Sequence, residues 1–325
     1  MKDRNEQTVT DGFPSGYAVL IGVGRCAYAP WSLPATVNDV RALAATLTDP
    51  TAGGYPDNEN HLRLLYDESA TGQAILDSLA WLGKQTASTN ATALVYFSGH
   101  GWLGPNGRDY YLIPHDAEPR RLLSSALPAA HFVDAIQALR PQRLLVLMDC
   151  CHAGGMATAR TKAVAARFTP AALPKALVTE LGKGAGRAVF ASAREEEQSY
   201  ILPDGSLSIF THHLLEALHG AACQPGDTTV RLSHLMRHLG RAVPETALQL
   251  YHASQTPYFD VMSEDYPVCA LGGGKGIGAG QPAGMAPIAK STPAVRGRRN
   301  IVSAGPMSGN VIVSGDHSNL IIGQD

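Results

Sequence analysis

Two short segments hold the residues best suited to covalent chemistry. Residues 96–101 read Tyr-Phe-Ser-Gly-His-Gly, and residues 149–155 read Asp-Cys-Cys-His-Ala-Gly-Gly. Each follows an apolar run, and each sets one reactive side chain, His100 or Cys151, among glycines. An ordinary thiol, with a pKa near about 8.5, is only a few per cent thiolate at neutral pH. A neighbouring imidazole changes this by taking the proton or, once protonated, by holding the thiolate. Glycine lets backbone approach closely, so the N–H groups of Gly101 and Cys151 are candidates for an oxyanion hole. A turn after Cys151 that opened a helix would add positive dipole to the thiolate. Taken singly, a cysteine at a strand end is more often a small buried hydrophobe. Adjacent Cys150-Cys151-His152 cannot converge on one ion as a C-x-x-C pair does, so no metal is expected. No cofactor is implied. His152, a sequence neighbour of Cys151, points away from it and is a poor base. The joint pattern is what points to nucleophilic catalysis: His, then Cys, each following an apolar strand.

The surrounding elements have to bring the two segments together. Continuous apolar runs at 17–24, 61–66, 93–98, 143–148 and 188–193 read as buried strands, with short extended pieces at 109–114 and 258–262. Between them, amphipathic stretches read as helices: one beginning at Asn38 with Asn38 or Asp39 as cap, then 69–86, 130–139, 174–181, 210–218 and 232–239. Strands that are continuously apolar and alternate with helices indicate a mostly parallel sheet covered on both faces. In such sheets, sites form at the carboxyl ends of strands. His100 and Cys151 meet there if their strands are neighbours.

Composition divides the chain. Of 325 residues, 45% are apolar and 17% charged, enough for a sizeable core. All 21 aromatics lie at or before Tyr266, whereas 12 of the 33 glycines lie in the last 54 residues. The tail carries a net +3 on a body of −5, and its basic charge reads as a solvated linker. The overall charge of −2 gives no case for nucleic-acid or anionic-membrane partners. Five cysteines without framework spacing argue against a disulfide scaffold. A polar start and no apolar run near 18 residues suggest a cytoplasmic chain with reduced thiols. The divisions are 1–14 as an extension, 15–270 as the folded body, 271–299 as a Gly/Pro-rich linker and 300–325 as a β-prone motif.

With YFSGHG and DCCHAGG in this order, supported by VNDVRAL at 37–43 and ASAREEEQSY at 191–200, the chain resembles the caspase and metacaspase cysteine peptidases. It is closer to the metacaspase and bacterial caspase-like branch. The resemblance spans about residues 15–262. It implies a caspase-like three-layer α/β/α sandwich with a mostly parallel central sheet, followed here by a flexible C-terminal tail. It makes His100 the general base and Cys151 the nucleophile, with no third catalytic residue assigned. Asp149 and Cys151 lie two apart, as do Ser98 and His100, so Asp149 and Ser98 sit one layer below the catalytic pair. Asp39 is within reach of the same cavity. Metacaspases build a basic-selective pocket from residues matching Asp39, Ser98 and Asp149, which implies a protein substrate cut after Arg or Lys rather than Asp. Calcium activation is not expected, because Ser124-Ser125 stands where many metacaspases place acidic ligands. The basic residues of 156–187 (Arg160, Lys162, Arg167, Lys175, Lys183, Arg187) are candidate self-cleavage points.

The tail ends in three Asn–apolar–Gly units, at 300–305, 310–315 and 319–323. Runs this short bury no core alone but can stack in cross-β fashion on copies from other chains. The last two are similar to amyloid-type signalling motifs of bacterial immune effectors. That likeness implies self-assembly, a sensor partner with a matching motif, and a role in defence or regulated cell death. The competing reading is a catalytically silent adaptor with a peptidase fold.

Overall fold

The computed structural model describes residues 13, 15–87, 90–150, 168–272, 274, 311–313 and 320–322. They fall into two compact units, Met1–Ala279 and Gly280–Asp325.

The first unit is organised by a six-stranded sheet in the order β11-β9-β7-β3-β1-β2. Its strands are β1 (Gly16–Gly22), β2 (Leu62–Tyr66), β3 (Thr92–Gly99), β7 (Arg143–Cys150), β9 (Arg187–Ala191) and β11 (Tyr258–Val261). All pairings are parallel except the edge pair β9/β11. The central strands are buried on both faces, which is why they read as unbroken apolar runs. Val19, Ile21, Val95, Phe97 and Val146 join the cluster formed with α2 (Gly72–Thr86), α4 (Ala129–Ala138) and α5 (Lys175–Gly182). The alternate residues Ala18, Leu20, Leu94 and Leu145 lie outside that cluster, and α1 (Ala35–Thr48) packs on β1 and β3. Next to α1 lies α6 (Ile209–Leu218), and against α6 lies α7 (Leu232–Tyr251).

Two expectations about helices need correcting. α1 begins at Ala35, three residues before Asn38, directly after Pro34, and no side chain caps it. Asp39 is therefore an interior helical residue and not a cap. α7 runs on past Leu239 through Pro244 to Tyr251. Proline inside a helix costs about 3 kcal/mol. The stripe Leu235, Leu239, Val243 and Ala247, buried at successive i,i+4 positions, offsets that penalty by packing.

Short strands complete the unit. After β3 the chain forms an antiparallel sheet of β4 (Gly101–Leu103), β5 (Tyr110–Leu112), β6 (Leu127–Pro128) and β8 (Thr169–Pro170), with α3 (Leu122–Ser125) before β6. β10 (Thr229–Arg231) pairs with β12 (Pro267–Ala270). The buried Tyr55 hydroxyl donates to the Val268 carbonyl at 2.8 Å, tying this ribbon to the body. Arg187, at the start of β9, donates to the carbonyls of Ile136 and Leu139 at the end of α4. There its charge opposes the negative end of the helix dipole. No helix among the described residues is long and apolar enough to cross a membrane.

The second unit contains β13 (Val311–Val313) antiparallel to β14 (Leu320–Ile322), with Ile312 opposite Ile321. These strands are the apolar parts of the second and third tail units. The first tail unit, like residues 1–12, lies outside the described residues.

Burial pushes the pKa values of several core groups up: Cys26 to about 12, and Tyr55 and Tyr96 well above the ordinary phenol value. A raised folded-state pKa contributes stability that is complete below the unfolded pKa and is lost as pH rises past it. Denaturant midpoints are therefore expected to hold up to about pH 8 and to fall steadily above about pH 9. A midpoint constant to pH 11 would show that these groups ionise freely in the fold.

Candidate active site

β3 and β7 are neighbours, and their register places Ser98 opposite Asp149 and Gly99 opposite Cys150. β3 ends at Gly99 and β7 at Cys150, so both reactive segments emerge from the carboxyl edge of the sheet. Cys151 lies outside the described residues, and so does its share of the expected oxyanion hole.

His100 is buried, between β3 and β4. Its Nε2 lies 2.9 Å from the carbonyl oxygen of Trp31. A carbonyl only accepts, so the neutral ring carries its proton on Nε2 and its lone pair on Nδ1. The same carbonyl accepts from the Cys26 thiol at 3.4 Å, and the Trp102 ring lies beside the imidazole at 5.8 Å. Trp31 and Trp102 meet edge to face at 4.7 Å, which stiffens this wall.

Gly101 must be glycine. A Cβ there would come within 1.8 Å of the Tyr110 hydroxyl, which donates to the Ala171 carbonyl at 2.7 Å. Ile113 N donates to the His100 carbonyl at 3.1 Å, which makes Gly101 and Leu112 a non-hydrogen-bonded pair of the β4/β5 ladder. The Gly101 N–H is thus not directed into β5.

Beneath this edge lies a buried polar layer. The Ser98 hydroxyl donates to Asp39 Oδ2 at 3.0 Å, and the Ser208 backbone N–H donates to Asp39 Oδ1 at 2.9 Å. The Ser199 hydroxyl donates to Asp149 Oδ1 at 2.7 Å, and Gln255 Nε2 reaches Ser199 Oγ and the Ser192 carbonyl. Both carboxylates are buried, and these hydroxyl and N–H donors fix the positions of their oxygens. Burial, then the nearby Asp39 and Asp149 charges, drive the Tyr96 phenol further from ionising, and its hydroxyl pairs with Thr211 Oγ1 at 2.6 Å.

Asp39, Ser98 and Asp149 are thus brought into one layer, next to the strand ends that carry His100. Ser199, Ser208, Gln255 and the Trp31 carbonyl escaped the sequence reading. Only Ser199 lay in a segment that carried the family resemblance. Ser124 and Ser125 both donate to the Arg121 carbonyl, building the local turn. Arg187 is buried in β9, which removes it as a self-cleavage point.

The family profile of the caspase domain matches residues 15–266. The chain belongs to the caspase domain family. It is a cysteine-type peptidase, and its substrates are proteins. Among solved structures, the caspase domain is similar to caspase-1 from Spodoptera frugiperda, with a TM-score of 0.50 and 15% identity over 81% of this chain and 92% of that one. At that identity the likeness speaks to the fold alone, and it agrees with the mostly parallel, helix-covered sheet. No curated protein matches significantly.

Proposed function

We propose that this caspase domain is a metacaspase-type endopeptidase that hydrolyses peptide bonds after Arg or Lys. The observation that carries the reading is the pair of buried carboxylates, Asp39 and Asp149, gathered around Ser98 one layer below His100. A guanidinium or ammonium is the natural complement of two such charges. Leaving a buried charge without its partner costs roughly 3–5 kcal/mol. At about 1.4 kcal/mol per tenfold, that supplies selectivity of 10²-fold or more.

In the proposed reaction, His100 Nδ1 takes the Cys151 proton and the thiolate attacks the scissile carbonyl. The N–H groups of Gly101 and Cys151 hold the oxyanion. The imidazolium then protonates the leaving amine, and water, deprotonated by the same ring, releases the acyl group. The Trp31 carbonyl supports this role by keeping the Nε2 proton in place and the ring oriented. Paired peptide reporters test the specificity. Release is expected from an Arg or Lys reporter and not from an Asp one, and the opposite preference, abolished in Cys151→Ala, would overturn it.

We propose further that 300–325 is an assembly motif that brings peptidase domains together in a cytoplasmic defence or cell-death response. In support, the apolar parts of two Asn–apolar–Gly units are complementary strands. A peptide of residues 300–325 is expected to form fibres, and one that stays monomeric in all conditions removes the proposal. The linker 271–299 would then separate switch from catalyst.

A further inference from the structure

Away from the peptidase site, α6 and α7 enclose a cluster of three imidazoles around one carboxylate. His213 Nδ1 lies 2.6 Å from Glu216 Oε2, and His238 Nε2 lies 2.8 Å from the same oxygen. His212 Nε2 lies 3.5 Å from Glu216 Oε1. Ligand atoms of His212, His213 and Glu216 all fall within 4.8 Å of one another. His212 and Glu216 are four apart on α6 and so share a face, which α7 completes with His238.

One atom has no structural explanation. His212 Nε2 is buried, its side chain only 5% exposed, and it makes no hydrogen bond although it faces the carboxylate. An unrecorded water or ion is one of the standard explanations for a buried polar atom left in this way. Its 3.5 Å separation from Glu216 Oε1 is near the spacing of about 3.4 Å between two ligands of a tetrahedral ion bound at about 2.0–2.1 Å. His213 has the outer partner typical of a metal ligand, with Nε2 lying 2.8 Å from Thr246 Oγ1. Donation to that oxygen places the lone pair on Nδ1, toward the cluster.

We propose that His212, His213, Glu216 and His238 bind one first-row transition-metal dication, with Zn²⁺ the best fit. Imidazole-dominated N/O sites favour Zn²⁺, Cu²⁺ or Ni²⁺ over Ca²⁺ or Mg²⁺. Glu216 and His238 are partly exposed, at 26% and 19%, so an ion reaches the cluster from solvent. The site also touches the peptidase pocket through α6. Ser208, its cap, donates to Asp39, and Thr211 pairs with Tyr96.

The full-length, tag-free chain carrying Cys151→Ala, stripped with chelator, tests the site with Zn²⁺ by calorimetry and Co²⁺ by absorption. One saturable ion per chain is expected, with Co²⁺ d–d bands, no thiolate charge-transfer band, and no change in Cys223→Ser. Both His238→Ala, at a partly exposed position, and Glu216→Gln are expected to weaken Zn²⁺ by about 100-fold or more. Absence of saturable binding overturns the proposal. So does binding unchanged in both variants, or a thiolate band lost in Cys223→Ser, which would move the ion to the Cys223–Asp227–His234 group.

Discussion

Replacing His100 by alanine is expected to lower kcat/KM on an Arg reporter by about 10³- to 10⁴-fold while the protein still folds. The ring is buried, and the Trp31 carbonyl facing its Nε2 keeps a second donor, the Cys26 thiol. The stability cost should thus stay within the roughly 1–3 kcal/mol of an ordinary buried substitution. A merely structural role for His100 would lower activity only in step with unfolding. The distinguishing readout is the pH profile of Cys151 alkylation. In the wild type, thiolate reactivity is expected near neutral pH; in His100→Ala it should move toward the ordinary thiol range, near about pH 8.5. An unchanged profile would remove His100 as the base.

Asp149→Asn carries the second large effect. Asparagine keeps an oxygen to accept from the Ser199 hydroxyl, so the polar layer retains its shape. What disappears is a buried charge. If Asp149 holds the substrate cation, kcat/KM for an Arg reporter should fall by about 10²-fold or more, from the roughly 3–5 kcal/mol of a broken buried pair. A citrulline reporter, the neutral isostere of arginine, isolates charge from shape. The wild type should discriminate strongly between the two, and the variant weakly. Equal losses on both reporters would mean that Asp149 positions the strand end and does not select the substrate.

Several of these features were legible in the residues themselves. Unbroken apolar runs gave away the parallel sheet because its strands are covered on both faces. The i,i+2 relation of Ser98 to His100 needed only strand geometry, and the register of β3 with β7 then set Ser98 opposite Asp149. Asp39 reached that layer for a reason the sequence concealed. The cap reading failed because α1 starts earlier, at Ala35, and its interior turn presents Asp39 to Ser98 and Ser208. Ser208 contributes a backbone N–H from 169 residues away, and Trp31 contributes a carbonyl, so neither leaves a signature in residue type or spacing. α7 ran past Gly240 and Pro244 because its apolar stripe outweighs the local penalty. Strands of two or three residues, such as β6 and β8, are too short for periodicity to register.

The most direct measurement is labelling of the full chain with a thiol-reactive peptide ending in arginine. Intact mass and peptide mapping then locate the adduct. The expected result is one adduct per chain, on Cys151, formed far faster than with the aspartate-ended analogue and slowed in His100→Ala. An adduct on Cys26, Cys150, Cys223 or Cys269 instead, or equal labelling by both probes, would contradict a His100–Cys151 dyad served by an acidic pocket.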